Sequence, residues 1–108
     1  MAVNEHNGKT IELRLCVPDL EEVRIMCDSV RFSIPDGAGG KKSGGLVGIR
    51  RGHTDALMAV AEGTVFAFSG GRQIFSCAVC EGLAVVTGES VTILTDGGRC
   101  AKDEKEDN

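Results

Sequence analysis

The stretch from Thr64 to Val79 reads Thr-Val-Phe-Ala-Phe-Ser-Gly-Gly-Arg-Gln-Ile-Phe-Ser-Cys-Ala-Val. Two runs rich in β-branched and aromatic residues flank the pair Gly70-Gly71, and a glycine pair in that position is typical of a two-residue β-hairpin turn. The first run is apolar at four consecutive positions. Because a strand with two apolar faces is covered on both of them, we predict a hairpin with one face in the core and the other against a partner.

Short period-two patterns on both sides of this hairpin predict further strands. Residues 11–17 alternate aliphatic side chains with charged or thiol side chains. Similar segments recur at 23–27, 29–34, 46–50, 55–60, 83–86 and 90–95, separated by turn residues. We count nine or ten candidate strands and find no convincing helical period. This pattern predicts an all-β sandwich or barrel in one domain over residues 10–96.

Composition excludes several classes of function. The 108 residues carry a net charge of −4, with no Trp or Tyr, which argues against nucleic acid as a partner. No apolar run approaches the ~20 residues of a membrane span, and the N-terminus lacks the apolar core of a signal peptide. We therefore expect a cytoplasmic protein that does not itself span the membrane. Residues 1–9 are expected to be flexible, and residues 97–108 to form a disordered charged tail.

The five cysteines are odd in number and irregularly spaced, which favours buried thiols in a reducing compartment. Cys77-Ala-Val-Cys80 is the one spacing that resembles a metal or redox site. No second cysteine pair accompanies it, and residues three apart on a strand point to opposite faces. We expect no metal site here. A small thiol enzyme that uses Cys77 or Cys80 remains an alternative, to be tested by the rate of thiol labelling.

No pattern of catalytic or cofactor-binding residues emerges. The glycine-rich loop 36–45 lacks the Walker spacing, so we expect no ATP-binding site and no cofactor. His53 and Asp55 have no nucleophile motif beside them, so we expect no catalytic residue. A cluster of positive side chains is either a set of ordinary loop charges or a contact surface for an acidic partner. Its members are Lys41, Lys42, Arg50, Arg51 and His53.

Residues 45–57 read Gly-Leu-Val-Gly-Ile-Arg-Arg-Gly-His-Thr-Asp-Ala-Leu. This stretch resembles a signature of the epsilon subunit of F-type ATP synthases. The residues that match it without a gap are Gly45, Gly48, Ile49, Gly52, His53 and Leu57. Weaker similarity extends over residues 10–96. Leu46 stands where the family usually has Glu, and Arg51 and Asp55 replace two prolines. These differences make this stretch more basic than in typical members of the family. They predict that the partner loop it contacts is acidic.

The resemblance implies a sandwich of two roughly five-stranded antiparallel sheets. It also implies a non-catalytic rotor subunit of the central stalk that couples the gamma subunit to the membrane c-ring during rotary ATP synthesis or hydrolysis. The catalytic alpha and beta subunits would be partners through the complex. The chain would be a peripheral subunit on the cytoplasmic face of the cell membrane. The alternative is a stand-alone β-sandwich binding module of the same ancestry.

The resemblance also implies which residues make each contact. Candidates for the gamma interface are His53, Thr54, Val65 and Ala67. Candidates for the c-ring interface are Ser43, Gly45, Leu46, Val47 and Arg50. Expected structural glycines are Gly48, Gly52, Gly63 and Gly82. His53 could equally be a turn histidine that bonds backbone carbonyls. The phenylalanines expected in the core are Phe66, Phe68 and Phe75.

The family's C-terminal helices have no counterpart in this sequence. Typical epsilon subunits continue into a helical hairpin, whereas twelve polar and charged residues follow Asp96 here. We therefore expect neither inhibition by those helices nor ATP sensing, and the acidic tail resembles a natural ending.

Overall fold

The computed structural model describes residues 10–18, 20–35 and 43–100, and it forms ten strands and no helix within them. No described segment is therefore a helix long and apolar enough to cross a membrane. The strands are β1 Ile11–Cys16, β2 Val23–Cys27, β3 Ser29–Pro35, β4 Ser43–Arg50, β5 Ala56–Val60, β6 Gly63–Ser69, β7 Arg72–Val79, β8 Gly82–Val86, β9 Ser90–Thr95 and β10 Gly98–Cys100.

The strands form two five-stranded sheets, which confirms the predicted all-β sandwich. The first sheet has the order β2-β1-β9-β8-β5, and the second has the order β10-β7-β6-β3-β4. All pairings are antiparallel except one, because β1 runs parallel to β9 in a register that places Glu12 beside Ser90. The predicted antiparallel sheets are therefore confirmed apart from this one parallel pairing.

The core lies between the sheets and follows directly from the alternating sequence. In β1, Ile11, Leu13 and Leu15 are buried, while Glu12 and Arg14 lie on the outer face and form an ion pair of 3.4 Å. The second sheet contributes inward side chains from each of β3, β4, β6 and β7. The largest fully buried side chain among these is Phe32. Two apolar layers that interdigitate in this way give the stiffness of a close-packed interior.

The boundaries of two predicted elements change. β4 begins at Ser43 rather than at residue 46, and its ladder with β3 includes Gly45 opposite Ile34. The strand β10 pairs with β7 beyond residue 96, so residues 98–100 belong to the sandwich and not to the tail. The predictions for residues 1–9, for most of the glycine-rich loop, and for residues 101–108 lie outside the described residues.

The predicted hairpin is present at Gly70-Gly71. Both glycines have positive φ, 60° and 81°, and Ser69 pairs with Arg72 across the turn. L-residues with side chains rarely adopt this geometry at two consecutive positions, which explains why glycine occupies both. The carboxylate of Asp28 accepts a hydrogen bond of 2.6 Å from the backbone N–H of Gly70, so the turn is tied to the end of β2.

Stability should fall in alkaline solution because of one buried thiol. Burial, together with the neighbouring Asp28 carboxylate, raises the pKa of Cys27 from its ordinary value of 9.0 to about 11. The unfolded chain therefore ionises first, so this thiol stabilises the fold fully below pH 9 and loses its contribution as the pH rises to 11. The free energy of unfolding is expected to fall by about 2–3 kcal/mol over this pH interval.

Urea unfolding at a series of pH values from 8 to 11 measures this effect. Cys27→Ala is the comparison, because it removes the titrating group. The free energy of unfolding of this variant should be lower than that of the unsubstituted chain. It should also change less between pH 8 and pH 11. Parallel pH profiles for the two proteins would contradict the assignment.

Candidate functional site

The outer face of the second sheet presents exposed aromatic surface. Phe66 and Phe68 lie on the outer side of β6 and are partly exposed, with ring centroids 6.2 Å apart. The guanidinium of Arg31, from the neighbouring strand β3, lies 4.5 Å from the centroid of the Phe68 ring. This cation–π contact fixes a positive charge over an apolar surface. The arrangement suits a protein contact better than a small-molecule pocket.

The same face continues across β3 onto β4. The register places Ser29 between Arg50 and Phe68, and Arg31 between Gly48 and Phe66. Leu46 and Arg50 are both exposed, Leu46 to 56%, and they alternate outward on β4. Two predicted c-ring contacts therefore lie on one surface with the aromatic pair. Val47 has the opposite orientation and packs against the core, so its side chain is not part of this surface.

This outer face, formed by β3, β4, β6 and β7, is apolar and positively charged. Its outward positions in β3, β4 and β6 are occupied by serine, arginine, leucine, glycine, threonine and phenylalanine. On β7, Ile74 is 46% exposed and adds a further aliphatic side chain. None of these outward positions carries a carboxylate. A partner with an apolar centre and acidic groups at its rim would complement the face.

Two predictions for β6 are wrong because the strand faces are reversed. Val65 and Ala67 have 0% exposure and face the first sheet, so their side chains cannot contact a partner subunit. Phe66 and Phe68, which we expected in the core, lie on the outer face instead. Phe75, in contrast, packs against the core as predicted. The strand is apolar on both faces, and the sequence pattern alone does not say which face is inside.

His53 and Thr54 lie in the loop between β4 and β5, at one end of the sandwich. The Nδ1 atom of His53 is 2.7 Å from the carbonyl oxygen of Thr54, which can only accept, so the proton is assigned to Nδ1. Backbone N–H groups of Gly52 and His53 donate to the carbonyls of Gly88 and Arg50. The ring is thus a turn histidine that bonds a carbonyl, and it remains partly exposed.

The four expected structural glycines have different roles. A Cβ at Gly82 would fall on the carbonyl oxygen of Leu94, so this position requires the close approach that only glycine permits. Gly52 has a φ of +89°, and a Cβ at Gly63 would lie 2.8 Å from the Oγ of Ser33. Gly48 has neither a positive φ nor a close approach to a neighbour. The atom nearest to a Cβ at this position would be the Cγ of Arg31, at an ordinary contact distance of 3.8 Å. The prediction for Gly48 is wrong.

The outer face of the first sheet carries aliphatic side chains in adjacent strands. The exposed members are Leu57 (68%), Leu83, Val85 and Leu94. The register pairs Leu57 with Val85 and Leu83 with Leu94, so they form a continuous patch. A shallow groove of about 310 Å³ adjoins it, lined by Cys16, Val17, Pro18, Leu20, Glu22, Leu94 and Thr95.

Cys77 and Cys80 do not form a joint thiol site. Cys77 is buried at 1% exposure, whereas Cys80 is exposed just after the end of β7. They face opposite directions, as the spacing predicted. Across the part of the chain that the structure describes, no group of three or more His, Cys, Asp and Glu residues could hold a metal ion.

Comparison with known proteins identifies related domains. Residues 39–99 match the family described as "ATP synthase, Delta/Epsilon chain, beta-sandwich domain". The fold is similar to a chain in the cryo-EM structure of the Euglena gracilis mitochondrial ATP synthase, OSCP/F1/c-ring in rotational state 1, with a TM-score of 0.69 and 19% identity. The match covers 90% of this chain and 59% of that chain, so this chain spans less than two thirds of its relative. Comparison with curated proteins gave no match.

Proposed function

Because the chain belongs to the ATP synthase delta/epsilon family, we propose that it is a non-catalytic, epsilon-type rotor subunit of the central stalk. In this role it couples the gamma subunit to the membrane c-ring during rotary ATP synthesis or hydrolysis. The observation that carries the proposal is the outer face of β3, β4, β6 and β7, which is apolar, positively charged and free of carboxylates. A stiff sandwich with an extended contact face suits a subunit that transmits torque.

For the gamma contact we propose Phe66 and Phe68 in place of the buried Val65 and Ala67. Aromatic side chains that are already ordered before binding are common anchors of protein interfaces. His53 and Thr54 remain in the proposed interface, because their loop directly follows β4 and the His53 ring is partly exposed.

For the c-ring contact we propose the β4 rim, whose members are Ser43, Gly45, Leu46, Val47 and Arg50. Leu46 and Arg50 supply exposed side chains, while Val47 faces the core and contributes backbone. An exposed leucine beside an arginine is complementary to a ring loop that carries both apolar and acidic side chains. Because one sheet bears both proposed contacts, gamma and the ring would be held by a single rigid element.

The alpha and beta subunits would be partners through the complex. The proposed location is the cytoplasmic face of the cell membrane, where the chain would be a peripheral subunit.

The first test concerns the assembly. Affinity capture of the tagged chain from gently solubilised source membranes, with mass spectrometry of bound proteins, should recover gamma, alpha, beta and the c-ring together. Recovery of the chain alone, or with unrelated partners, would favour the stand-alone binding module.

A second capture experiment tests the face itself. The double variant Phe66→Ala with Phe68→Ala should reduce recovery of gamma by at least about ten-fold, because aromatic anchors dominate interface free energy. The variant should still fold, since neither ring is in the core. Circular dichroism and a cooperative urea transition would establish that it does.

Leu57→Ala is the matched control for this experiment. Leu57 is the most exposed of the large apolar residues in the described chain, but it lies on the first sheet. Recovery of gamma should be unchanged by this substitution. If Leu57→Ala abolishes capture and the double phenylalanine variant does not, gamma binds the first sheet and our assignment of the face is wrong.

A further inference from the structure

The outer face of the first sheet carries an apolar surface that neither proposed contact uses. Leu57 pairs with Val85 and Leu83 pairs with Leu94, and the exposed fractions of these four side chains lie between 40% and 68%. The four side chains are named the first-sheet patch below. Contiguous exposed apolar surface of this kind marks interaction sites on folded proteins, so the first-sheet patch calls for a partner.

Carboxylates border the first-sheet patch at one end. Three strands meet there, because β8 starts between the last residues of β5 and β9. The connections at this end supply the exposed residues Glu62, Glu81 and Asp96, and the backbone N–H of Asp96 donates to the carbonyl of Glu81 at 3.3 Å. These three connections, which the structure describes completely, contain no lysine or arginine. This end of the patch is therefore negatively charged.

The outer face of β3, β4, β6 and β7, named the second-sheet face below, has arginines at the other end of the sandwich. Arg50 and Phe68 are both in register with Ser29 at the start of β3, and Arg31 follows two residues later. The turn after β6 is tied through Asp28 to the end of β2, and β2 ends where β1 and β9 begin. The arginines thus lie where β9 begins, whereas the carboxylates lie where β9 ends.

The two surfaces complement each other in apolar character and in charge. We propose that a second copy of this chain places its second-sheet face on the first-sheet patch, so that the copies stack front to back. Because the carboxylates and the arginines lie at opposite ends, the neighbouring copy is turned end for end. The contact is heterologous, so a stack can grow beyond a dimer. This inference does not depend on the proposed function, because it concerns the purified chain alone.

Charge favours this arrangement over contacts between identical faces. Two first-sheet patches in contact would bring the carboxylates of both copies to one interface. Two second-sheet faces in contact would bring together the exposed arginines, Arg31 and Arg50, of both copies. Like charges that meet across an interface weaken the association. Only the front-to-back contact sets carboxylates against arginines while it covers apolar surface on both copies.

The area of one sheet face limits the strength of the contact. Five strands that are about 4.8 Å apart and about 17–20 Å long span roughly 400–500 Å². A stacked pair therefore buries roughly 800–1,000 Å² in total, at the low end for protein interfaces. The association should be weak and reversible, with a dissociation constant of roughly 10 μM or more. Since the proposed gamma contact uses the second-sheet face, bound gamma would exclude the second copy.

Sedimentation velocity of the reduced, purified full chain tests the association. Concentrations from about 5 to about 500 μM cover the expected dissociation constant. At about 20 mM NaCl the weight-average sedimentation coefficient should rise continuously with concentration, and about 300 mM NaCl should weaken the association several-fold by screening the charges. A coefficient that stays at the monomer value throughout, or an association that salt strengthens, would overturn the proposal.

Two variants with one altered face each test the geometry. Leu83→Arg puts a positive charge into the first-sheet patch, and Phe66→Ala with Phe68→Ala removes aromatic surface from the second-sheet face. Each variant alone should remain monomeric, whereas an equimolar mixture should form a 1:1 pair that grows no further, because each variant keeps one intact face. Leu83→Met, which keeps the patch apolar, is the control and should associate like the unsubstituted chain.

Other results of the variant experiment would contradict the front-to-back contact. Undiminished self-association of Leu83→Arg would mean that second-sheet faces pair with each other. Undiminished self-association of the double phenylalanine variant would mean that first-sheet patches pair with each other. A mixture that stays monomeric would also overturn the proposal. Circular dichroism and a cooperative urea transition establish that each variant is folded.

Discussion

Gly82→Ala is expected to prevent stable folding. A Cβ at this position would fall on the carbonyl oxygen of Leu94 and lie 2.7 Å from the Cα of Thr95. These are backbone atoms of β9, at the centre of the first sheet, and they cannot move aside without breaking the ladder in which Gly82 pairs with Thr95. Overpacking against backbone should cost more than about 3 kcal/mol, a large part of the ~5–15 kcal/mol that stabilises a domain.

Gly48→Ala is the matched control, because it is also a glycine within a strand. A Cβ there has an ordinary contact of 3.8 Å with the Cγ of Arg31. Replacing glycine by alanine where the backbone permits it stabilises proteins by about 0.4–1 kcal/mol. Urea unfolding should therefore show opposite signs for the two variants. Equal stabilities would mean that the close approach at Gly82 is not a feature of the folded protein.

Phe32→Ala is expected to have the second largest effect. Phe32 is fully buried at 0% exposure on the inward side of β3, opposite Val47 of β4. Removing a buried phenylalanine ring leaves a cavity and costs about 3–5 kcal/mol. The midpoint of thermal unfolding should fall by roughly 15 °C or more. Calorimetry at neutral pH, with reduced protein, measures it directly.

Phe66→Ala provides a control of the same residue type in the same sheet. Its ring lies on the outer face, so truncation removes surface contacts and should cost about 1 kcal/mol. The difference between the two variants tests which side of the second sheet is inside. A larger loss at Phe66 than at Phe32 would contradict the orientation of the sheet.

The sequence predicted local features well and non-local ones poorly. The strands from β1 to β9 are marked locally, either by alternating apolar and polar residues, as in β1, or by short apolar runs between turn residues, as in β8. The glycine pair at 70–71 specifies its turn through φ alone. The parallel pairing of β1 with β9 has no local signal, because it joins segments at opposite ends of the domain. β10 has three residues, which is too short for a period to be recognised.

The candidate site was harder to predict for a related reason. In β6, both faces are apolar, so the period of two identified a strand but could not choose between Val65 and Phe66 as the inward residue. The contact of Arg31 with Phe68 depends on the pairing of β3 with β6, which no spacing in the sequence records. Leu46 and Arg50 were found because the family signature runs through them, and their shared orientation then followed from alternation.

The position of β1 in the first sheet also governs the order in which the chain can fold during translation. β1 lies between β2 and β9, so one of its two neighbours is synthesised near the end of the domain. Until β9 leaves the ribosome, β1 can pair only with β2. The aliphatic side chains of Ile11, Leu13 and Leu15 then lie in an incomplete sheet. Long-range pairing of this kind slows folding and exposes nascent strands to aggregation. A fragment limited to residues 39–99 lacks β1, β2 and β3, so we expect that the segment that carries the family match does not fold on its own.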